Sequence, residues 1–435
     1  MQVSVEATGS LDRKMTVQVP SERVENEVDN RLKNLARRVR LDGFRPGKVP
    51  LKVVRQRYGA GVYQEVLSEV LQESYREAVQ QEGLEPAGSP SIEPKSVENG
   101  QPIEFVASFQ VFPEIEIADL SGVDIERPVA EIGDEDIDRV IDSLREQNKE
   151  WHAVERAATS GDRVTLDFLG KLDGEAFEGG QAEDFQVEIG SGRLLEEFEN
   201  QLEGVQPGEE KTIEVTFPED YPAEVLKGRT ATFDITVKTV EEARLPDVDA
   251  AFAEKFGIED GSVEKLREDV RSNMERELNQ ALKSKIKQQV MDALVERHGF
   301  DLPEALVKSE INRLREDAEK RFGGAEQTQP LPDSLFEEEA KRRVRLGLVL
   351  RHLIDDKGFE VDRERVEQEL DNMAATYEDP EEVKQYYRTQ PQAMQNLESI
   401  VLEDQVVDWV VEQGNVTDKP TTFQDVMNPN KESSE

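Results

Sequence analysis

The chain has 435 residues, with 95 aspartates and glutamates against 54 lysines and arginines, a formal net charge of −41 and no cysteine. This length predicts roughly three domains, the acidic excess opposes general binding to nucleic acid, and the missing cysteines exclude disulfides and thiolate chemistry. His152, His298 and His352 lack metal-ligand spacing and no run of about eighteen apolar residues could span a membrane, so we expect no metal site and no membrane segment.

The first predicted elements belong to an α+β domain over residues 1–112. Met15, Val17 and Val19 alternate as in a half-buried strand, whereas apolar residues from Val24 onward recur at helical spacings of three and four. The start of the chain has no basic residue followed by an apolar run, so no secretory signal is predicted. In chain order, the predicted elements are strands over 3–8 and 14–19, a helix capped by Ser21, a helix over 62–81 ended by Gly83, and a strand over 103–112.

The segment between the first two helices is strongly basic, with ten lysines and arginines from Arg31 to Arg57 against the single acid Asp42. Its glycines and prolines predict a loop, and Pro50 can open the next helix. Phe44 lies in this loop between cations, where it could pack on a partner while the cations pair with phosphates. Composition alone slightly favours the alternative, in which the ring folds under its own loop. Salt screens charges beyond about 10 Å, so a compact basic tip could dock on RNA despite the acidic remainder.

The loop carries a recognisable motif. Gly43-Phe44-Arg45-Pro46-Gly47-Lys48 resembles the ribosome-docking signature of the bacterial trigger factor family, chaperones that meet nascent chains at the exit tunnel. The resemblance implies that these six residues bind the large ribosomal subunit near the tunnel, through ribosomal protein and RNA. It also implies that an FKBP-like domain and a long helical region should follow.

Residues 113–149 are predicted to connect two domains. A strand is indicated at Val123–Glu126, followed by a helix that Asp134 or Asp136 could cap. The sequence does not separate a connector from a second small piece of the first domain.

From Gly161 the apolar period becomes two, which predicts strands. Strands around a turn at Asp173-Gly174, one short helix and two further strands indicate a small antiparallel sheet wrapped on that helix, over residues 150–245. The order of elements and aromatics resembles the FKBP family of peptidyl-prolyl isomerases. The resemblance implies a prolyl pocket formed by Phe168, Phe177, Glu178, Phe185, Leu194, Leu195, Phe198, Tyr221 and Phe233.

Such a pocket would need no nucleophile, base or cofactor. Rotation about a peptide bond faces a barrier of about 18–20 kcal/mol, and a dry aromatic cup that fits the twisted prolyl amide better than the planar one lowers it. The family resemblance implies that the Tyr221 hydroxyl donates a hydrogen bond to a substrate carbonyl. The alternative is that these aromatics form an ordinary core.

Several positions depart from the usual FKBP pattern. Phe168 replaces the usual Tyr, Phe198 the usual Trp, and Glu178 the usual Asp. Glu196-Glu197 stands where Pro-Gly is usual, which places charge beside the pocket mouth. We expect this last difference to affect substrate preference more than activity.

After Pro246 the chain is predicted to be helical to its end. Apolar residues recur every four positions from Leu266 to Leu294, in a long helix that Ser262 can cap. Since a helix has 3.6 residues per turn, this stripe must spiral and meet different partners along its length. Further helices are predicted over 303–322, 333–356, 362–377 and 379–413, with a disordered tail over 428–435.

Phe322-Gly323-Gly324 and residues 336–343 resemble trigger factor motifs. The family implies that residues 246–427 form an all-α cradle for nascent and unfolded polypeptides, with a homodimer off the ribosome left open. The alternative is a helical spacer whose apolar residues are all buried.

The combined prediction is a multidomain α+β protein of the cytoplasm with ribosome-binding, connecting, isomerase and helical chaperone regions. The main alternative is a free prolyl isomerase and holdase that does not depend on the ribosome. An RNA-binding protein is a weaker alternative, because only Phe44 and Tyr58 interleave with the cations.

Overall fold

The computed structural model describes residues 1–42, 44, 48–96, 101–321, 331–375, 377 and 379–428. It is a multidomain α+β structure, as the sequence predicted. The chain divides into two compact units, and each unit combines two separate stretches. The first contains Met1–Arg127 and Lys283–Lys419, and the second contains Pro128–Leu282 and Pro420–Glu435.

The N-terminal part of the first unit is an antiparallel sheet packed on a helical hairpin. Its elements are β1 (Gln2–Ala7), β2 (Asp12–Val19), α1 (Ser21–Arg38), α2 (Leu51–Glu82), β3 (Ser91–Ser96) and β4 (Ile103–Gln110). The strands lie in the order β1, β2, β4, β3. Because side chains alternate along a strand, Met15, Val17 and Phe105 point to one face, where they share a core with Val54 and Val66 of α2.

The predicted end of α2 is confirmed, whereas the predicted cap of α1 is wrong. Gly83 ends α2 as predicted, in a left-handed conformation with φ of 64°. Ser21 is not the cap of α1, because Pro20 holds that position and no side-chain bond caps the helix. Proline fixes φ near the value that helix entry needs, so Ser21 becomes the first helical residue. A cap must precede that residue, so the Ser21 hydroxyl cannot serve as one.

Strand β5 (Asp124–Val129) and helix α3 (Asp134–Gln147) occupy the predicted connector. The cap of α3 is Gly133, so neither Asp134 nor Asp136 is the cap. The Asp136 carboxylate instead accepts a 2.9 Å hydrogen bond from the Gly133 N–H. This is the role of the third-position carboxylate in a capping box.

The second unit contains a five-stranded antiparallel sheet. Its elements are β6 (Glu150–Val154), β7 (Arg163–Leu172), β8 (Glu175–Glu188), α4 (Glu196–Leu202), β9 (Glu210–Thr216) and β10 (Thr230–Arg244). β10 is central: it pairs with β7 along one edge and with β9 and then β6 along the other, while β8 pairs with β7. Leu202 of α4 is fully buried in the core of this sheet. The predicted sheet wrapped on one short helix is therefore confirmed, although β6 was not predicted.

Two helices follow the sheet, α5 (Ala250–Lys255) and the long α6 (Val263–Arg297). The Lys265 N–H donates a 3.2 Å hydrogen bond to Ser262 Oγ, as predicted for a cap. Leu266 and Val270 belong to a core with Phe252, whereas Val290 and Leu294 belong to a different core. The apolar stripe of α6 therefore meets different partners along its length, as its four-residue spacing predicted.

The remaining elements are α7 (Glu304–Arg321), α8 (Glu337–Lys357), α9 (Arg363–Ala374), α10 (Pro380–Thr389), α11 (Pro391–Gln413), β11 (Asn415–Pro420) and α12 (Phe423–Met427). The single helix predicted over 379–413 is wrong, because Gln390 is extended. A residue before proline disfavours the helical conformation, and Pro391 starts a new helix. Helix to the end of the chain is also wrong, since β11 pairs with β5. Phe322-Gly323-Gly324 and the tail after Asn428 lie outside the described residues.

Among the described residues, no helix is both long enough and apolar enough to cross a membrane.

Candidate active site and docking loop

A cluster of aromatic rings on the second unit's sheet centres on Phe233 of β10. The alternation of β10 points this side chain to the face that carries α4. The distance from the ring centroid of Phe233 to that of a neighbouring ring is 5.4 Å for Phe198, 5.9 Å for Phe168, 6.0 Å for Phe177 and 6.5 Å for Phe217. The first three of these contacts are edge-to-face, a favoured arrangement of aromatic pairs.

Two further rings extend the cluster. Phe185 lies opposite Leu166 in the β7–β8 ladder, and so on the same face as Phe168, whose centroid is 5.4 Å away. Tyr221 packs edge-on against Phe217 at 4.7 Å. Its hydroxyl forms no hydrogen bond with any residue that the structure describes, so it is available to a bound molecule.

The rings differ in exposure. Phe198 and Phe233 are each only 6% exposed, whereas Phe168, Phe177, Phe185 and Tyr221 are partly exposed. Leu194 and Leu195 are also partly exposed and pack against the same core. Buried rings thus form a floor and partly exposed rings form walls, which is the arrangement that an apolar cup requires. Glu178 is exposed beside Phe177.

Glu199 of α4 orders the loop that carries Leu194. This carboxylate is 3% exposed and accepts backbone N–H bonds from Gly190 at 2.9 Å, Gly192 at 3.1 Å and Leu194 at 2.9 Å. Burial by itself raises the pKa of Glu199, but these N–H donors stabilise the charged form and bring the pKa below its ordinary value. The sequence pattern did not single out Glu199, since an isolated acid carries no distinctive signal, and it gave Phe217 as one of the domain's aromatics without assigning it to the pocket.

The unusual pair Glu196-Glu197 has divided roles. The Glu197 carboxylate accepts a 2.8 Å hydrogen bond from the backbone N–H of Thr216, at the end of β9. Glu196 is exposed and forms no ion pair in the part of the chain that the structure describes. One charge of the pair therefore has a structural partner, and the other stands free in the first turn of α4.

The basic loop is only partly described. Gly43, Arg45, Pro46 and Gly47 lie outside the described residues, so their predicted role is not examined by the structure. Phe44 is described and is 38% exposed, and Lys48 is exposed as well.

Most of the cations flanking this loop form no ion pair with a described residue. Arg31 pairs with Glu65 and Glu69, and Arg55 pairs with Asp29. Within the described ranges, no ion pair is formed by Lys33, Arg37, Arg38, Arg40, Lys48, Lys52 or Arg57. The exposed Phe44 therefore lies in a segment that carries most of its described positive charge without an ion-pair partner.

The region after Arg297 leaves several large apolar side chains of its helices and connecting turns in solvent. Leu335 is 66% exposed, Tyr377 60%, Tyr386 57% and Ile400 44%. The hypothesis that every apolar residue of this region is buried is therefore wrong.

Three family models match the chain. "Bacterial trigger factor protein (TF)" matches residues 1–144, "FKBP-type peptidyl-prolyl cis-trans isomerase" matches 154–238, and "Bacterial trigger factor protein (TF) C-terminus" matches 262–412.

Relatives of known name match over the whole length. The trigger factor of Thioalkalivibrio sulfidiphilus is 63% identical over 100% of both chains. That of Alkalilimnicola ehrlichii is 49% identical over 100% of this chain and 97% of its own. A solved structure titled "Promiscuous Substrate Recognition in Folding and Assembly Activities of the Trigger Factor Chaperone" matches in fold, with a TM-score of 0.50 and 20% identity over 95% of this chain and 99% of that one.

Proposed function

The chain belongs to the bacterial trigger factor family, and on that basis we propose how its regions divide the work. The protein is a ribosome-associated molecular chaperone with an FKBP-type peptidyl-prolyl cis–trans isomerase domain. In the proposed division, residues 1–112 dock on the ribosome, 113–149 connect, 150–245 isomerise X-Pro bonds and 246–427 hold nascent chains. A free isomerase independent of the ribosome is not favoured, because matches to family models cover the ends of the chain as well as the isomerase region.

The exposed Phe44 within unpaired cations is the observation that carries the docking proposal. A cationic surface attracts the phosphates of ribosomal RNA, and an exposed ring can bury itself on a protein surface. We therefore assign Gly43, Phe44, Arg45, Pro46, Gly47 and Lys48 to contact with the large subunit near the exit tunnel, through ribosomal protein and RNA. Docking raises the local concentration of a weak client surface beside each emerging chain.

Co-sedimentation with purified ribosomes across a salt series tests this assignment. The triple variant Phe44→Ala/Arg45→Ala/Lys48→Ala should lose co-sedimentation, and binding by the unchanged chain should weaken as salt rises, because released counterions drive phosphate contacts.

A matched control removes the same kinds of side chain elsewhere. Lys308→Ala/Lys320→Ala/Leu335→Ala deletes two exposed cations and one exposed apolar residue outside the loop. It should sediment with ribosomes like the unchanged chain. Equal binding by both triple variants would show that the loop is not the docking site.

The ring cluster is the proposed isomerase site. Phe198 and Phe233 would support the proline ring from below, while Phe168, Phe177, Phe185 and the Leu194-Leu195 pair enclose it. The site excludes water from the prolyl amide, and a less polar surrounding favours the twisted amide, whose resonance is broken. The free Tyr221 hydroxyl donates to a substrate carbonyl, and Glu178 lies at the rim. No covalent step is required.

Peptide assays of cis–trans exchange test the pocket. Phe168→Leu reduces one wall and Tyr221→Phe removes only a hydroxyl, so each should lower kcat/KM by about five- to a hundredfold, which corresponds to the ~1–3 kcal/mol that one such contact supplies. Tyr63→Phe makes the same deletion in the N-terminal domain and should leave kcat/KM unchanged. Unaltered activity in both pocket variants would exclude this cluster as the site.

The helical remainder is the proposed client surface, with exposed Leu335, Tyr377, Tyr386 and Ile400 as contact residues. Apolar side chains in solvent suit weak binding of unfolded segments. We place the protein in the cytoplasm with translating ribosomes, and we include a homodimer of ribosome-free molecules. Sedimentation velocity over a range of concentrations checks the dimer, and a monomer at every concentration would remove it from the proposal.

A further inference from the structure

The ring of Phe177 lies between two glycines on adjacent strands. A Cβ atom built on Gly180 would lie 2.8 Å from Cε2 and Cζ of Phe177. A Cβ built on Gly170 would lie 2.8 Å from Cε1 of the same ring and 2.7 Å from Cε1 of Phe233. All of these distances are shorter than a non-bonded carbon–carbon contact allows. The ring therefore occupies the space that side chains at 170 and 180 would need.

The backbone does not require glycine at either position. Neither Gly170 nor Gly180 has a positive φ, so any residue could adopt those conformations. The neighbouring Gly179 is the opposite case, with φ of 80° and open space around its Cβ direction. At 179 the conformation favours glycine, whereas at 180 only the ring does.

The β7–β8 ladder does not hold Phe177 by itself. Leu169 pairs with Gln181 and Lys171 pairs with Ala176, so residues 177–180 lie opposite Gly170 alone. This irregular stretch frees Phe177 from the register that fixes ordinary strand residues. Its ring is held instead by the two glycine surfaces and by Phe217 and Phe233, at centroid distances of 6.5 and 6.0 Å.

We propose that Gly170 and Gly180 are positioning residues for prolyl isomerisation, which seat the Phe177 ring as a fixed wall of the pocket. The inference rests on the proposed function of the ring cluster. Neither glycine need touch the substrate, because each acts through the ring. Catalysis by fit to a twisted amide depends on wall position, and a displacement of about 1 Å in an active site can cost on the order of a hundredfold.

The test is isomerase activity of full-length Gly180→Ala on a short prolyl peptide. The added methyl displaces the ring, so kcat/KM should fall by about tenfold or more. Gly61→Ala adds the same methyl to a helix where nothing lies within 4 Å, and its activity should be unchanged. Activity of Gly180→Ala equal to that of Gly61→Ala would overturn the inference.

A double-mutant cycle with Phe177→Leu separates this role from a purely structural one. In the Phe177→Leu background the displaced ring is absent, so Gly180→Ala should cost less than about twofold further. An equal loss in both backgrounds would show that Gly180 acts through the backbone and would overturn the inference. If Gly180→Ala alone does not fold, folding of the double variant would support the proposal that Gly180 leaves room for the Phe177 ring. Failure of the double variant to fold would contradict that proposal.

Phe168→Leu and Tyr221→Phe distinguish failure of the pocket assignment from failure of the proposed role of the glycines. If Phe168→Leu and Tyr221→Phe retain full activity, the pocket assignment itself fails. If they lose activity while Gly180→Ala retains it, the pocket stands and only the seating role is wrong.

Discussion

The buried carboxylates and the buried hydroxyls of the described part of the chain differ in their hydrogen bonding. Glu199 and Asp162 are charged and are fully supplied with donors, the latter by Arg156 at 2.5 Å and by Thr159 N–H at 2.8 Å. Ser74 and Tyr75 are neutral, and their hydroxyls have no hydrogen-bond partner among the described residues. Burial raises the pKa of Tyr75 to about 12. An unpaired buried charge costs far more than an unpaired hydroxyl, and both buried carboxylates are accordingly paired, although Nε of the half-buried Arg345 guanidinium also has no hydrogen-bond partner among the described residues.

Glu199 gives a prediction for pH dependence. Its pKa is lower in the folded state than in the unfolded chain, so its stabilising effect is full above the ordinary glutamate pKa of about 4.3 and is lost as the pH falls through the folded value. Glu199→Gln removes the charged acceptor and should lower the free energy of unfolding by about 1.5–3 kcal/mol at pH 7. The difference from the unchanged chain should shrink below about pH 4. Thermal unfolding at pH 7 and pH 3, followed by tryptophan fluorescence, measures this difference.

Glu203→Gln is the matched control, since Glu203 is exposed one residue after α4 and its side chain forms no bond with a described residue. It should not change the unfolding temperature at either pH. A deficit in Glu199→Gln that stays constant from pH 7 to pH 3 would contradict the assigned role of the charge.

The sequence identified the aromatic residues of the ring cluster more readily than their arrangement. Period-two alternation and family spacing identified Phe168, Phe185 and Phe233 as strand aromatics. Neither signal distinguishes a buried floor from an exposed wall, because exposure depends on what covers each ring. The role proposed for Gly180 could not be predicted from the sequence either, since a glycine required by a neighbouring ring cannot be told from a glycine required by a turn.

Among the elements, α2 shows tertiary packing overriding local propensity. Gly59 and Gly61 interrupt its sequence, so the pattern favoured a long helix starting near residue 62, separate from the helix that Pro50 could open. The structure instead continues one helix from Leu51, because Val54 before the glycines and Val66 after them are buried in the same core.

Gly61 in α2 gives a prediction for this element. No atom lies within 4 Å of the position of an added Cβ, and its φ is not positive. Gly61→Ala should therefore stabilise the helix by about 1 kcal/mol. Hydrogen exchange of amides across residues 51–82 should slow by roughly fivefold. Faster exchange would mean that a methyl group is not accommodated there.

Three strands were not predicted from the sequence, β3, β6 and β11, and none is longer than six residues. β6 reads Glu-Trp-His-Ala-Val and β11 reads Asn-Val-Thr-Asp-Lys-Pro, and both are too short to show a clear period. Both are defined by backbone pairing with a distant strand, β10 and β5 respectively. Local periodicity cannot report a partner that lies far along the chain.

For the molecule as a whole, charge is segregated along the sequence. A chain of net charge −41 carries its one strongly basic segment from Arg31 to Arg57. The general acidity repels nucleic acid and the basic segment attracts it over a short distance set by screening. This separation favours attachment through one defined surface over coating of RNA.

The pairing of β5 with β11 has a consequence for the biosynthesis of the chain. Arg127 and Asp418, which form a 2.6 Å ion pair across these strands, are 291 residues apart. At a translation rate of about 5–20 residues per second, β5 leaves the ribosome roughly 15 to 60 s before its partner is made. Throughout that interval its backbone N–H and C=O groups are an open strand edge, the feature that promotes aggregation. A newly made copy of this chaperone therefore passes most of its own translation as the kind of unfinished polypeptide that it serves.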